Sequence, residues 1–295
     1  AKVTYADIAG LEGKSSGGSI SGLLLNTLSQ MDGFIHVARQ FINPSVPHAE
    51  GSVDPLRDIA AMEMELMLND LIIVERKLER LEKERQRGGI GRDKAVVERE
   101  TTLFKKLQSI LSEEIPLRNE SFTEDEEKML SSYGLLSRKP QLIVINQSED
   151  QEPIAFDSPF ANTKAIRIPA KLEMEIAQLP PEEAQEFLDE YGIEEPSLDR
   201  FIRLSYELLD QISFFTAGEK EVHAWTVSEG ATAREAAGTI HSDMEKGFIR
   251  AEVISCEDLV SLGGYAEARQ HGKLRLEGKN YIVQDGDVLT IRFNV

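Results

Sequence analysis

Cysteine, tryptophan and basic residues are scarce in this sequence, and it has no long apolar segment. The single cysteine, Cys256, excludes an intramolecular disulfide. No apolar run approaches the roughly 20 residues that a transmembrane helix needs, so we expect no membrane span. Lys and Arg number 33 against 52 Asp and Glu, and the formal charge of −19 argues against nucleic acid wrapping the whole surface. Together with the absence of a signal-peptide pattern, these features predict a cytoplasmic protein.

The length and overall composition are those of a globular protein. The 295 residues are enough for two or three domains with a real hydrophobic core. Apolar residues make up 41% of the chain and charged residues 29%, as in ordinary globular domains. The first residue is alanine, which is typical of a sequence that begins within a longer one.

Short apolar strands alternate with helical segments in much of the chain. Strands are predicted over residues 3–5, 34–38, 141–145 and 165–168, and the third is a continuous apolar run typical of a strand that is covered on both faces. Because strands and helices alternate, we expect an α/β layer with a parallel sheet.

Residues 56–118 have the pattern of two paired helices. Glycines at 88, 89 and 91 predict a turn between them, and hence an antiparallel hairpin. We expect the hairpin to project, because each helix has only one narrow apolar stripe; the alternative is a helix pair folded into the main core. The predicted seams are Ala60, Met64, Met67, Leu71, Val74, Leu78 and Leu81 in the first helix, and Val96, Leu103, Leu107 and Ile110 in the second.

The tip of this hairpin is basic, although the protein is acidic. From Arg76 to Lys106 there are 11 Lys and Arg against 6 Asp and Glu, which is +5 and leaves −24 for the rest. A basic tip on an acidic body would suit RNA or the ribosome. The alternative is a solvated coiled-coil surface that carries charges of both signs. The charge pattern alone favours this alternative, because Glu79, Glu82 and Glu84 are interleaved with the cations.

A separate small α+β domain is expected from about Ile212 onward. A helix from Thr232 to His241 carries a capping-box pattern, with Glu235 three residues after Thr232. Asp285-Gly286 predicts a turn before the last strand. The expected strands cover residues 221–227, 249–254, 273–276, 281–283 and 288–293.

Three loops that follow predicted strands carry groups suited to a nucleotide. Asp7 could hold a hydrated Mg²⁺, and the N–H of Gly10 could reach a terminal phosphate. Asn146 and Glu149 could contact a purine edge, and the N–H of Ala170 could contact it from the third loop. Because the carboxyl ends of parallel strands meet at one edge of a sheet, we expect these groups to share a cleft.

Three short motifs and several longer segments of this sequence resemble one known family. The three ordered motifs are Asp7-Ile8-Ala9-Gly10-Leu11, Asn146-Gln147-Ser148-Glu149 and Ala170-Lys171-Leu172-Glu173. The longest matching strings lie near the end, at residues 224–227, 230–233, 245–253 and 281–287. With the helical hairpin between the first two motifs, the chain resembles the YchF/Obg-like ATPase family, whose P-loop NTPase domain carries an inserted coiled coil and a C-terminal TGS domain.

The resemblance implies a fold and an activity. It implies an incomplete P-loop NTPase sheet over residues 1–55 and 136–211, an inserted antiparallel coiled-coil hairpin over 56–135, and a β-grasp TGS domain over 212–295. It also implies a Mg²⁺-dependent ATPase or GTPase that associates with the ribosome. Asp7 would then hold Mg²⁺ through water and Gly10 would sense the γ-phosphate. Leu11 occupies the place where related GTPases have a water-orienting glutamine, so no catalytic side chain is identifiable there.

The same resemblance implies which residues would contact the nucleobase. Asn146, Gln147, Glu149, Ala170 and Lys171 would form the nucleotide-binding set. Glutamate at position 149 and glutamine at 147, where guanine-selective proteins have aspartate and lysine, favour ATP over GTP. This chain departs from the family at Gln147, where an apolar residue is usual. It departs again before Ala170, where proline replaces serine.

One expected element has no counterpart in the 295 residues. Gly-x-x-x-x-Gly-Lys-[Ser/Thr], the phosphate-binding loop, is absent, and Gly13-Lys14-Ser15 fails its spacing because Ile8 stands where the first glycine should. In the family this loop lies upstream of the point where the sequence starts, so we expect this chain to bind nucleotide weakly and to be deficient in hydrolysis. The alternative is a non-enzymatic module that binds the ribosome or a protein through its coiled coil and TGS domain.

Overall fold

A computed structural model describes residues 2–8, 22–86, 92–151, 163–191, 193, 195–218 and 221–294. The chain forms two compact units, Asp7–Arg200 and Ala1–Ala6 with Phe201–Val295. The domain bounds expected from the sequence remain a prediction. Across the described ranges, no helix is both long enough and apolar enough to cross a membrane.

The unit Asp7–Arg200 is built on a three-stranded parallel sheet. Its strands are β1 (Phe34–Arg39), β2 (Gln141–Asn146) and β3 (Thr163–Ile168), in the order β1-β2-β3. The middle strand is buried over its apolar run, as expected for a strand that is covered on both faces. The predicted parallel sheet is therefore confirmed. The helices are α1 (Gly22–Ser29), α2 (Pro55–Gln86), α3 (Lys94–Ser112), α4 (Glu124–Leu130), α5 (Ala170–Ile176) and α6 (Pro181–Glu190), with a 3₁₀ turn at Leu117–Asn119. Helix α7 (Ser197–Leu208) begins in this unit and continues into the second one.

The strand predicted at the start of the chain is wrong. Residues 2–8 form no strand, and Tyr5 packs instead on α7, where its ring centroid lies 5.5 Å from that of Phe201 and its hydroxyl donates to Ser205 Oγ at 3.0 Å. A strand needs a neighbour for its backbone hydrogen bonds. Among the described residues no strand pairs with this segment, so its local β propensity has no partner to act on.

The two long helices pack side by side as a hairpin. Asp93 caps the start of α3 by accepting a hydrogen bond from Ala95 N at 2.9 Å. Lys77 Nζ lies 2.9 Å from Glu100 Oε2, and Arg92 bonds both Glu84 and Glu100, so the helices run in opposite directions. Their shared apolar core contains Met67, Val74, Leu103, Phe104, Leu107 and Leu111.

The predicted apolar seam of α2 is wrong in the N-terminal half of the helix. Ala60 and Met64 are exposed, whereas Ile59, Glu63 and Asp70 are buried. The actual buried row is shifted by one residue. Sequence patterning missed it because two acidic side chains, which are normally exposed, occupy core positions. In α3 the seam also differs, since Val97 and Phe104 are buried and Val96 is exposed.

Glu63 is paired with a buried arginine. The Nη2 of Arg118 donates to Glu63 and, at 2.6 Å, to Gln141 Oε1. Its Nη1 donates to the carbonyl of Ser137 at 3.1 Å, and its Nε donates to Thr163 Oγ1 at 3.4 Å. Because Gln141 begins β2 and Thr163 begins β3, one guanidinium joins helix α2 to two strands of the sheet.

Asp70 binds the chain segment that leads into β2. Its carboxylate accepts hydrogen bonds from Leu136 N, Ser137 N and Ser137 Oγ, each at 2.7 Å. The side chain is fully buried, and burial raises its pKa to about 6 although the three donors act in the opposite direction. The segment before β2 is thereby fixed to α2.

The same segment holds α1 in place. A Cβ on Gly134 would lie 2.6 Å from Ser29 Cβ, so only glycine allows this close approach. Lys139 Nζ donates to the carbonyls of Ser29, at 2.9 Å, and of Met31 just beyond the end of α1. A cation at a helix C-terminus satisfies exposed carbonyls and complements the helix dipole.

The second unit contains a five-stranded sheet in the order β5-β4-β8-β6-β7. Its strands are β4 (Gln211–Ala217), β5 (Val222–Ser228), β6 (Phe248–Ser255), β7 (Arg275–Glu277) and β8 (Asp287–Phe293). Its helices are α8 (Ala233–Ile240), α9 (Ser242–Lys246), α10 (Cys256–Leu262) and α11 (Tyr265–Gln270). The pairing of β4 with β8 is parallel, and the other pairings are antiparallel.

The second unit confirms some of the elements predicted from the sequence and contradicts others. The Thr232–Glu235 capping box at the start of α8 is confirmed. Strand β4 and three helices were not predicted. Residues 281–283 form only an isolated bridge between Ile282 and Thr232, so the strand predicted there is wrong. The backbone at residue 281 instead accepts a hydrogen bond from Ala233 N at the start of α8.

We predict that Asp70 makes stability depend on pH. Its folded pKa, about 6, lies above the ordinary value of 3.8, so the folded state holds the proton more tightly than the unfolded state. The stabilisation is complete below the ordinary value and is lost as pH rises through about 6. The free energy of unfolding of the wild type, minus that of Asp70→Asn, should fall by up to about 3 kcal/mol from pH 4 to pH 7. Urea unfolding at several pH values measures this difference. A flat difference would mean that the three donors keep the carboxylate charged.

Arg118→Met should be strongly destabilising, because it leaves the buried carboxylate of Glu63 without its cation. We expect a loss of about 3–5 kcal/mol in urea unfolding. Glu63→Leu combined with Arg118→Met should be less destabilised than the sum of the two single variants, since neither charge is then stranded. Arg80→Met is the control, since that side chain is 77% exposed and should cost less than about 1 kcal/mol. Simple additivity of the two buried substitutions would contradict the pairing.

Candidate functional site

The three strands of the parallel sheet end together at one edge. Arg39, Asn146 and Ile168 are aligned across β1, β2 and β3. Just beyond them, Gln40 N donates to Asn146 O at 2.8 Å, and Gln147 N donates to Ile168 O at 3.1 Å. The chain therefore leaves the sheet at three adjacent points, which is where ligands bind in parallel α/β sheets.

Asn146 and Ala170 are brought together at this edge. Asn146 Oδ1 accepts a hydrogen bond from Ala170 N at 3.4 Å. Ala170 is the first residue of α5, and the N-cap position is held by Pro169, whose side chain cannot accept a hydrogen bond. The asparagine side chain supplies the acceptor that a serine or aspartate cap would otherwise provide.

The loop after Asn146 is held by a glutamine that the sequence analysis missed. Gln151 Oε1 accepts from Ser148 N at 2.9 Å, and its Nε2 donates to the carbonyl of Gln40 at 3.2 Å. Gln147 Oε1 is buried and accepts no hydrogen bond within the part of the chain that is described. Glu149 is exposed at the turn of the loop. This edge thus presents a buried acceptor, Gln147 Oε1, and the exposed carboxylates of Glu149 and Asp150.

The loop after β1 also lies at this edge, although its residues were not among the predicted site residues. Arg39 shapes it by donating to the carbonyls of Phe41 at 3.0 Å, Val46 at 2.9 Å and Asn43 at 3.3 Å. An arginine at the end of a strand, followed by a loop that contains Asn43, Pro44 and Pro47, was the available signal.

The remaining predicted site residues are less closely associated with this edge. Lys171 is 85% exposed at its side chain, and its Nζ lies 3.8 Å from Glu175. Asp7 is exposed, and no hydrogen bond or ion pair links it to another described residue. Gly10 and Leu11 lie outside the described residues.

The donor set at Asp7 is compatible with magnesium but not with a protein-made metal cage. No group of three or more His, Cys, Asp or Glu side chains suited to a metal occurs in the described ranges. Mg²⁺ usually keeps several waters and takes only one or two carboxylates, with phosphate oxygens completing its shell. A single exposed carboxylate fits that mode of binding.

An open depression of about 380 Å³ lies beside the start of α5. Glu173 closes one side of it by accepting hydrogen bonds from Ser197 N, at 2.6 Å, and from Ser197 Oγ. Both cations and carboxylates line the depression. The lining residues are Arg167, Pro169, Glu173, Ile193, Glu195, Ser197 and Arg200.

Comparison with known proteins identifies the family. The family model YchF-GTPase_C, described as "Protein of unknown function (DUF933)", matches residues 211–294. The "Ribosome-binding ATPase YchF" of Bacillus subtilis (strain 168) is 44% identical over 302 residues, which cover 99% of this chain and 81% of that protein. The chain belongs to the YchF family. This confirms the resemblance found in the sequence motifs.

Other YchF relatives agree in sequence and in fold. "Obg-like ATPase 1" of Caenorhabditis elegans is 36% identical over 304 residues, covering 99% of this chain and 76% of the relative. The solved YchF GTPase of Schizosaccharomyces pombe superimposes with a TM-score of 0.82 at 29% identity, covering 96% of this chain and 78% of that one. The mixed α/β fold with its parallel sheet is therefore shared with a solved YchF structure.

The bond between Asn146 and Ala170 can be tested by stability. Asn146→Ala should lower the free energy of unfolding by about 1 kcal/mol, because Ala170 N loses its acceptor. Asn146→Asp should lose less, since a carboxylate still accepts the bond and is favoured beside a helix N-terminus. Ser148→Ala is the control and should change stability by less than about 0.5 kcal/mol. Equal losses for the two Asn146 variants in urea unfolding would contradict the capping role.

Proposed function

We propose that this YchF-family chain is part of an ATPase that associates with the ribosome in the cytoplasm. The relatives carry the names "Ribosome-binding ATPase YchF" and "Obg-like ATPase 1". The observation that carries the proposal is the strand-end edge, where Asn146, Gln147 and Ala170 lie next to one another. That position and those groups suit a purine base.

The groups at this edge favour adenine. Gln147 Oε1 is a buried acceptor without a donor in the described ranges, and Glu149 presents an exposed carboxylate that only accepts. An exocyclic amino group would supply the donor that both lack, and both purines carry one. The preference for adenine rests on positions 149 and 147, where glutamate and glutamine replace the aspartate and lysine of guanine-selective proteins, so that the fit to guanine is weaker. Asn146, Ala170 and Lys171 complete the proposed nucleotide-binding set, and ATP is preferred over GTP.

The phosphates would be bound at the start of the chain. Asp7 would hold Mg²⁺ through water, and the N–H of Gly10 would contact the γ-phosphate. Bound Mg²⁺ would neutralise charge on the phosphates during transfer. Leu11 has no group that can move a proton. We therefore assign this loop a role in positioning Mg²⁺ and the phosphates, and no role in acid–base catalysis. Because the 295 residues contain no Gly-x-x-x-x-Gly-Lys-[Ser/Thr], we propose that they bind nucleotide weakly and are deficient in hydrolysis.

The helical hairpin and the second unit complete the proposal. We assign α2 and α3 as a coiled coil and the second unit as a TGS β-grasp domain. The basic segment from Arg76 to Lys106 is a proposed RNA contact. Part of its charge is already neutralised, since Lys77 pairs with Glu100 and Arg92 with Glu84 and Glu100. Cations with no carboxylate partner among the described residues are Arg76, Lys83, Lys94, Arg99 and Lys105.

The alternative is a non-enzymatic module. In that case the hairpin and the second unit bind the ribosome or a protein, and the parallel sheet serves only as a scaffold. The paired helices and the separate, well-packed second unit are compatible with such a role. Ribosome binding would then be independent of nucleotide.

Titration calorimetry of the 295-residue chain with ATP–Mg²⁺ tests the nucleotide part of the proposal. We expect binding weaker than micromolar, with ATP still bound more tightly than GTP, because the base-contacting edge is present and the phosphate-binding loop is not. Micromolar ATP affinity would contradict the proposed deficiency. Tighter binding of GTP would contradict the assignment of Gln147 and Glu149.

Cosedimentation with purified ribosomes tests the partner. The chain should pellet with ribosomes, and added ATP–Mg²⁺ at millimolar concentration should change the bound fraction if the sheet edge senses nucleotide. A bound fraction that ATP does not change would favour the non-enzymatic module. Failure to pellet would contradict ribosome association.

A further inference from the structure

Helix α2 carries a row of exposed apolar side chains. The row consists of Ala60, Ala61, Met64, Leu68 and Ile72, and we call it the α2 ridge. Met64 is 43% exposed, Leu68 45% and Ile72 36%. Spacings of three and four residues place these side chains on one side of the helix. A single exposed leucine is ordinary on a protein surface, whereas a contiguous apolar row of this length is typical of a contact surface.

The ridge lies outside the contact between α2 and α3. Val74 is fully buried in the core that the two helices share. Because successive helical residues are about 100° apart around the axis, Leu68 lies about 120° from Val74. Ala60 and Met64, which the sequence pattern assigned to this core, belong to the ridge instead. The pairing of the two long helices therefore leaves the ridge uncovered.

Charges of opposite sign lie at the two ends of the ridge. Arg57 precedes it, and this side chain is 36% exposed although it also pairs with Asp58. Glu75 follows it, and this exposed residue forms no ion pair with another residue in the described part of the chain. Together with Leu71, which is half-buried beside the hairpin core, they complete the alternating spacing of four and three that is typical of a coiled-coil seam. The seam residues are Arg57, Ala61, Met64, Leu68, Leu71 and Glu75.

We propose that the α2 ridge is the contact surface of a symmetric homodimer, in which α2 packs antiparallel against α2 of a second copy of this chain. A twofold axis midway between Met64 and Leu68 places each of these residues opposite the other one in the second copy. The same axis pairs small side chains with large ones, so the two helices can stay at a constant distance. These pairs are Ala60 with Ile72 and Ala61 with Leu71.

The charges at its ends favour the antiparallel direction. In that arrangement Arg57 of each copy lies opposite Glu75 of the other, which gives two ion pairs. In a parallel arrangement in register, Arg57 would face Arg57 and Glu75 would face Glu75, and like charges repel. The net charge of −19 opposes self-association in general, so this local complementarity matters. Because the ridge is complementary to itself in both size and charge, we assign a second copy as its partner.

The contact is short, so the dimer should be weak. From Arg57 to Glu75, α2 extends about 27 Å at about 1.5 Å per residue. A contact along one helix of this length is at the small end of specific interfaces. We therefore expect a dissociation constant of about 10–100 μM.

Sedimentation velocity of the full chain tests the dimer, at concentrations from about 1 to about 200 μM. The sedimentation coefficient of the wild type should rise with concentration from the monomer value toward the dimer value. Leu68→Glu should weaken the association by at least about tenfold, because each dimer would then bury two unpaired charges. Leu198→Glu is the matched control and should not weaken it, since Leu198 is a helical leucine that is 69% exposed and lies outside the ridge.

Charge reversal tests the antiparallel pairing. Glu75→Arg should weaken the association about fivefold, because it places cations opposite each other, although it lowers the net negative charge of the chain. Arg57→Glu combined with Glu75→Arg should restore most of the affinity, since the ion pairs then form with their signs exchanged. Glu98→Arg is the control, because it changes the net charge by the same amount at an exposed position on α3, and it should not weaken the dimer.

Three results would overturn the inference. They are a wild type that stays monomeric at the highest concentration, an equal loss for Leu68→Glu and Leu198→Glu, and no recovery in the combined charge variant. Circular dichroism and thermal melting check that each variant is folded, and if Leu68→Glu does not fold, the charge variants decide. None of these measurements involves nucleotide or ribosomes, so a monomeric wild type that still pellets with ribosomes would refute the dimer and leave the proposed function standing.

Discussion

The buried charge pair between Arg118 and Glu63 is the interaction on which the arrangement of the first unit depends. A guanidinium removed from water needs partners for its donors, and Arg118 donates hydrogen bonds to helix α2, to the carbonyl of Ser137 and to the first residues of β2 and β3. An apolar contact of the same size would tolerate small rotations of α2 against the sheet. The hydrogen bonds of this network are directional, so they do not tolerate such rotations.

The consequences extend to both ends of the parallel sheet. Asp70 fixes the segment before β2 to α2, and Gly134 and Lys139 of that segment fix the end of α1. At the opposite edge, the strands leave the sheet at the points where Asn146, Gln147 and Ala170 meet. The helical hairpin and the candidate base-binding edge are therefore attached to the same three strands, at opposite ends of them.

Patterns carried by neighbouring residues predicted the structure well, and patterns that depend on distant partners did not. The strands β1, β2 and β3 follow from runs of apolar and β-branched residues, and the cap of α8 follows from Thr232 and Glu235. The opening strand failed because pairing is a property of two segments. The α2 seam shifted by one residue because Glu63 and Asp70 are buried only through partners more than 50 residues away.

Membership of the YchF family, the α/β class and the chemical types at the strand ends could all be inferred from order and spacing along the chain, since each rests on short contiguous strings. Other features depended on the folded protein. These are the burial of two acids in α2, the support of the loop by Gln151, and the exposure of Lys171 and Asp7. The physical reason is that burial, hydrogen bonding and charge pairing join residues far apart in sequence, and a pattern read along one segment does not contain the other partner.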